Sequence, residues 1–279
     1  MKKMLGTKKP EAVYEFPEGD LEKIERLLKS EGDGKPEKDT EEVEQQPVIK
    51  SVEFDIKDPR NFIQLGIKGL YGNNVLISKF ELPGYNHLNY EDTHIKLLRN
   101  KLYMPNPRIF MYFFNKIMQA QNDKAPLFNA ENSKISEEDV MNIYLHLTKN
   151  HIAIYDPEKL GAWTWLNGKF SESDHGWGLE TVIGLGNNKL LTKSENLEPC
   201  ISNDCYVDFT NLNNQGLPNE NAKSKIEKYN QGENVYYFYP RDGSVAGFGA
   251  SSGRANLYCN WGPRGSSSGL GVFGCAEGA

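Results

Sequence analysis

Apolar positions along the chain change their period near residue 150. Before it they recur at helical spacing in four stretches. DLEKIERLLKS (20–30) puts Leu21, Ile24, Leu27 and Leu28 on one face behind Asp20 as a cap. EDTHIKLLRNKL (91–102) aligns Ile95, Leu98 and Leu102. The segment after MPNP predicts a helix that starts at Pro107 with Asn106 as its cap. Its Ile109, Phe110, Met111, Phe113, Phe114 and Ile117 cover most of the circumference, so deep burial is expected. A further helix starts at Ser136, with Asp139 three residues on, and turns Val140, Ile143, Tyr144 and Leu147 to one side. VIKSVEFDI (48–56) and NVLISKFELP (74–83) have strand lengths and patterns. Beyond Asn150, Gly, Asn, Pro and aromatic residues dominate, and YVDFTNL (206–212) and NVYYFYP (234–240) read as strands. Helices early and irregular β structure late make an α+β domain. No internal repeat interrupts this order.

Composition divides the chain. Residues 1–50 hold 23 charged side chains, and EGDGKPEKDTEEVEQQP (31–47) is almost without apolar positions. Residues 1–47 therefore read as a charged extension with one short helix and a linker, and 48–279 as the domain. The net charge of −6 and the lack of a basic stripe argue against nucleic acid as a partner. No run of 18 apolar residues predicts membrane insertion, and the N-terminus lacks the apolar core of a secretory signal. Synthesis in the cytoplasm, with display by another route left open, is the expectation.

Candidate chemistry is sparse. GLGVFG (269–274) matches a dinucleotide pattern, but too few residues follow to form the helix that would hold a pyrophosphate. The five histidines, His87, His94, His146, His151 and His175, lack close metal-ligand spacing and read as surface or hydrogen-bonded residues. No cofactor or metal is predicted. Cys200 and Cys205 could bridge or stay free, since spacing does not separate the two.

The tail carries the strongest signal. Residues 243–279 contain 10 of the 26 glycines and only three charged residues, Arg254, Arg264 and Glu277. From 254 to 261 the alternation is clean. Ala255, Leu257, Cys259 and Trp261 fall on one side, and Arg254, Asn256, Tyr258 and Asn260 on the other. One face packs and the other is free. Tyr, Arg, Asn, Ser and Gly are the residues of adaptable binding surfaces. Lys, Glu, Gln, Met and Trp number 67 of 279, yet only Trp261 and Glu277 occur in the last 37 residues, against about nine for even use. These are the five amino acids that a codon ending in a pyrimidine does not encode. Buried glycine-rich β structure also depletes Lys and Glu.

Three motifs in order resemble a known family. MPNPRIFMYFF (104–114) resembles the (L/M)-P-T-x-x-E-(W/F) helix start of formylglycine-generating-enzyme-like C-type lectin folds. AWTWLNGKF (162–170) is similar to their central Trp-bearing strand. VAGFGASSGRANLYCNWGPRGSSSGLGVFGCA (245–276) resembles their ending, a glycine-rich strand–loop–strand that closes in G-F-R-C-A. The variable proteins of diversity-generating retroelements share this form of the fold, and the chain looks most like their archaeal branch. It departs in Gly274, where Arg is usual, in Phe110, where Trp or a neighbouring aromatic is usual, and in the missing acid before Phe110.

The resemblance implies a C-type lectin fold with early helices and a C-terminal mixed β/loop ligand-binding region, variable over about 243–279. It implies a non-enzymatic, hypervariable receptor-like protein that binds a protein or cell-surface ligand. Its variable positions carry over to Ser251, Ser252, Arg254, Asn256, Tyr258, Asn260, Pro263, Arg264, Ser266 and Ser267, with Ala255, Leu257, Cys259 and Trp261 as scaffold. Two alternatives share the fold. An oxidase of the formylglycine-generating type would need a reactive cysteine pair in the tail with copper, but alternation buries Cys259 and Cys275 sits in the closing motif. A calcium-dependent sugar-binding lectin would need Glu-Pro-Asn, Gln-Pro-Asp or Trp-Asn-Asp strings, and none occurs. A structural protein whose tail only packs is a further possibility.

Overall fold

Pro107 supplies the fixed φ of a first helical residue, and the Asn106 side chain accepts the Ile109 amide proton at 2.9 Å. A 16-residue helix follows, Pro107–Asn122, with nine buried side chains, as its all-round apolar pattern predicts. In the computed structural model, which describes residues 55–148, 152–153, 156–187, 189–251 and 253–278, this helix is α2. It lies between α1 (Tyr90–Arg99) and α3 (Glu137–Thr148) in chain order. The predicted N-terminal helix, the linker and most of 48–56 lie outside the described residues.

Ten strands in two sheets accompany the three helices, so the domain is α+β. β1 (Phe62–Lys68), β2 (Asn74–Ser78) and β12 (Cys275–Glu277) form the smaller sheet, in the order β1-β2-β12. There the end of the chain returns antiparallel to β2, with Cys275 opposite Ile77. β3 (Ile152–Ala153) and β4 (Asp156–Leu160) pair as a separate ribbon. The larger sheet comprises β5 (Trp163–Ser173), β6 (Gly176–Gly186), β7 (Lys189–Asn196), β8 (Cys205–Val207), β9 (Val235–Phe238), β10 (Val245–Ser251) and β11 (Arg254–Trp261). Its order is β7-β6-β5-β10-β11-β9-β8; β9 runs parallel to β11, and the other neighbours are antiparallel.

The main core lies between one face of this sheet and helices α2 and α3. Phe110 of α2 meets Phe248 of β10 at 4.8 Å between ring centroids and Phe273, just before β12, at 5.4 Å. Phe114 meets Phe248 and Phe209 at 5.5 and 5.0 Å. Ala246, Ala250, Ala255, Leu257 and Cys259 complete the sheet side, all buried. Gly274 has a packing reason: a Cβ there would stand 2.6 Å from a Leu82 methyl and 3.2 Å from a Leu102 methyl. Any side chain there would have to push the Leu82 side chain aside.

A smaller core sits under α1. The helix forms where expected, but it is rotated from the predicted face. Tyr90, Thr93, His94 and Leu97 are buried, while Ile95 and Leu98 are only half-buried. A Tyr/Thr/His face is buried because the Tyr90 ring packs edge-on against Trp165 and its hydroxyl accepts the Gly168 amide proton at 3.0 Å. β1 (Phe62–Lys68) has no counterpart among the predicted strands. His94 departs from the expected surface or hydrogen-bonded state, since its Nε2 is buried with no partner. Cys200 and Cys205 are free thiols.

Two predictions follow from this packing. Phe110→Ala should cost about 3–5 kcal/mol in denaturant unfolding, because the rings around it are held by three separate elements. Burial lowers the His94 pKa to about 3. The unfolded chain takes up this proton near pH 6.5 while the folded chain does not, so the unfolded state binds more protons in between. Stability should therefore be intact above about pH 6.5 and fall as pH drops toward 3, by up to about 1.4 kcal/mol per unit from this group. Urea midpoints for His94→Gln should show a shallower decline than the parent; an identical slope would contradict the burial.

Candidate functional site

Opposite the main core, the larger sheet carries a row of half-buried rings. Alternation in β9 buries Val235 and Tyr237 on the core side and turns Tyr236 and Phe238 to the other. Tyr206 of β8 packs edge-on against Tyr236 at 4.9 Å, and Tyr236 against Phe238 at 4.9 Å. Phe238 stacks on Tyr258 of β11 with centroids 4.7 Å apart and planes within 8°, matching the spacing of neighbouring strands. Tyr258 stacks on Trp261 at 4.6 Å, and Trp261 meets Trp163 of β5 at 5.6 Å. The Arg254 guanidinium lies over the Tyr236 ring, 4.6 Å from its centroid. Each such ring pair contributes about 0.5–1.5 kcal/mol beyond its buried area.

The row crosses β10, which has no side chain on this face beneath it. A Cβ at Gly247 would run into the Trp261 ring, and one at Gly249 would stand 3.1 Å from Tyr258 and 3.2 Å from Trp163. The two strand glycines are thus the bed on which the rings of β11 and β5 lie. This accounts for part of the glycine content of the tail.

A bulge corrects one expectation. Tyr258 pairs with Gly247, but Trp261 pairs with Val245, so β11 has one residue more than β10 over this stretch. The extra residue brings Trp261 round to stack on Tyr258. The strict alternation had assigned it to the packed side with Cys259. Asn256 is the second correction. Expected on the open face, it is 0% exposed. It stands opposite Gly249 on one neighbour and Tyr236 on the other, between the longer Arg254 and Tyr258 on its own strand. Its Nδ2 donates to the carbonyls of Gly249 and Arg254 at 3.1 and 3.3 Å, while Oδ1 is unpartnered.

The remaining predicted positions fall in two groups. Arg254, Tyr258 and Asn260 are half-buried along β11. Pro263 and Ser267 are half-buried, and Arg264 and Ser266 exposed, in the loop that follows. That loop is tied to the segment before α1: the Pro263 carbonyl accepts from the Tyr90 amide at 3.1 Å and the Ser267 carbonyl from His87 at 3.3 Å. Ser251 ends β10, and its side chain lies outside the described residues, as does Ser252. Tyr206, Tyr236, Phe238 and Trp163 were not among the sequence candidates. The two-residue period of NVYYFYP marks Tyr236 and Phe238 as one face, but nothing local shows that this face continues that of Tyr258.

Comparison with known protein families, with curated proteins and with solved structures returns no match. The site is therefore read from its own chemistry. Burial pushes the Cys259 and Cys275 thiols well up, away from the thiolate. The two residues also belong to different sheets. Among the described residues no three His, Cys, Asp or Glu side chains gather as metal ligands would, and no helix is long and apolar enough to cross a membrane. GLGVFG leads into β12, not into a helix.

The buried acid–base pair of Glu81 and His146 is structural in its contacts. The carboxylate accepts the Trp163 amide proton at 2.9 Å and meets His146 Nε2 at 2.5 Å, with both side chains 1% exposed. It anchors the start of β5, and with it Trp163.

Gly247→Ala should destabilise the domain by about 1–3 kcal/mol, since the Trp261 ring must lift from the sheet. Gly262→Ala, where a Cβ meets nothing within 4 Å, should stay within about 0.5 kcal/mol. Denaturant unfolding followed by tryptophan fluorescence separates the two; equal effects would mean that the ring bed is not packed as described.

Proposed function

We propose that the chain is a non-enzymatic ligand-binding protein of the C-type lectin-like kind, whose C-terminal face is diversified by a retroelement. The observation that carries this reading is the division of β11 and its loop into a buried scaffold and an outward set. Ala255, Leu257 and Cys259 are fully buried, whereas Arg254, Tyr258, Asn260, Pro263, Arg264, Ser266 and Ser267 reach the surface. Substitution at Asn260, Arg264, Ser266 and Ser267 changes the surface without opening a cavity, whereas Tyr258 also packs between Phe238 and Trp261.

Two further features support the reading. The three motifs of the resemblance meet in one core, where Phe110 from the first contacts Phe248 and Phe273 from the third. Trp165, from the second, donates its amide proton to the carbonyl of Gly271 in the third at 3.2 Å. The ligand is a protein surface. Along the row the Phe238, Tyr258 and Trp261 faces cover one another, so their rims and polar groups are what a partner meets. Rigid rings flanked by Arg254, Arg264 and serines suit an adaptable protein interface. Position 256 is the exception in the set, since a buried site between two carbonyls admits few side chains.

The adjoining DNA tests this reading. It should hold a near-identical copy of the 3′ coding region beside a reverse transcriptase gene, with differences at adenines of the copy. Those differences should fall on codons 254, 258, 260, 263, 264, 266 and 267 and spare 255, 257 and 259. Absence of the copy would end the retroelement reading.

A further inference from the structure

Past Glu180 the larger sheet thins to two strands. β5 pairs with β6 only between Lys169 opposite Glu180 and Ser173 opposite Gly176, whereas β7 follows β6 as far as Lys189 opposite Gly186. The projecting hairpin has two edges, and they are finished differently. On the β6 edge side chains stand in for a strand. Asn167 accepts from the Val182 amide and donates to the Val182 carbonyl, both at 2.8 Å, and Tyr71 donates to the Ile183 carbonyl at 3.3 Å. β7 is the outermost strand of the sheet, and its edge is covered only at its end, where Gln215 donates to the Asn196 carbonyl at 2.9 Å.

The phase of β7 shows which backbone groups lie on that edge. The Thr181 hydroxyl reaches the Lys193 carbonyl at 3.5 Å, and the Leu197 amide donates to the Trp177 carbonyl at 2.8 Å. Odd-numbered residues therefore turn their backbone groups to β6, and even-numbered ones turn outward, as Asn196 does. The N–H and C=O groups of Leu190, Thr192 and Ser194 face outward, and among the described residues these six have no hydrogen-bond partner. Such a row is a template for one more strand.

The side chains decide which strand fits. A second β7, antiparallel across a two-fold axis at Thr192, sets Thr192 against Thr192 and Leu190 against Ser194, so all six outward groups are bonded. The same register puts Lys189 opposite Glu195 at both ends. It also lays the alkyl stem of Lys193 against Leu191, which is 50% exposed. Moving the axis by one residue opposes Lys189 to Lys193 in one direction and Lys193 to itself in the other. Lysines blunt a sheet edge where they meet like charge. Here they leave a single register open.

We propose that β7 pairs with β7 of a second copy of this chain, in this register, and joins two larger sheets into one. Three strands separate β7 from β11, so the pairing leaves the ring row uncovered and does not depend on how the tail is used.

Sedimentation velocity of the full chain, up to about 200 µM, should show a monomer–dimer equilibrium. Thr192→Pro should abolish the dimer. It removes a central outward N–H, and proline is tolerated in an edge strand where that N–H faces solvent. Lys189→Glu and Glu195→Lys should each weaken the dimer at least tenfold, since each sets like charges against one another at both ends. An equal mixture of these two variants should dimerise again, because every end then joins an acid to a base. Misfolding would not be reversed by mixing, and melting curves check each variant. Tyr258→Ala should leave the dimer unchanged. A chain that stays monomeric, a dimer indifferent to Thr192→Pro, no recovery on mixing, or loss on Tyr258→Ala would each overturn the proposal.

Discussion

β10 must be packed on both of its sides, and the two sides are chemically opposite. Phe248 projects into the main core and is gripped by Phe110 and Phe114 of α2. On the reverse, Gly247 and Gly249 leave bare backbone, on which Trp261, Tyr258 and Trp163 rest. A strand with two glycines pays in conformational entropy. The neighbouring rings offset this by covering the backbone that the glycines expose. The position of β10 between β5 and β11 then fixes where the tail can present side chains.

From this arrangement the outward face acquires its rigidity. Its rings are supplied by β5, β8, β9 and β11, and each packs against another ring on the next strand, on its own strand or across β10. Rings packed against one another in this way have little side-chain freedom left to lose. The loop after β11 adds exposed Arg264 and Ser266 at its edge and is anchored through the backbone carbonyls of Pro263 and Ser267. The buried Glu81–His146 pair extends the support to Trp163 by holding the first amide of β5.

Local signals in the sequence located the three described helices and the tail strand well. α2 begins at Pro107 behind Asn106, and β11 spans Arg254–Trp261, both as the patterns predict. What the patterns missed is non-local. The face of α1 is decided by Trp165 and Gly168, which are far along the chain, so Tyr90, Thr93 and His94 are buried in place of Ile95 and Leu98. Trp261 changes side because of one bulged residue, which a two-residue period does not reveal. The parallel pairing of β9 with β11 joins Phe238 to Tyr258, and no spacing in the chain marks it. Asn256 looks like a surface amide by type, yet its neighbours outreach it.

The central claim is that the tail is divided residue by residue into a part that folds and a part that recognises. Saturation mutagenesis of residues 243–278, scored by protease resistance of the displayed full chain, measures this division without knowledge of the ligand. Positions 247, 248, 255, 257, 259 and 274 should reject nearly all substitutions, and 260, 264, 266 and 267 should accept most of them. Equal tolerance in the two groups, or tolerance at 247 and 274 with rejection at 264 and 266, would contradict it.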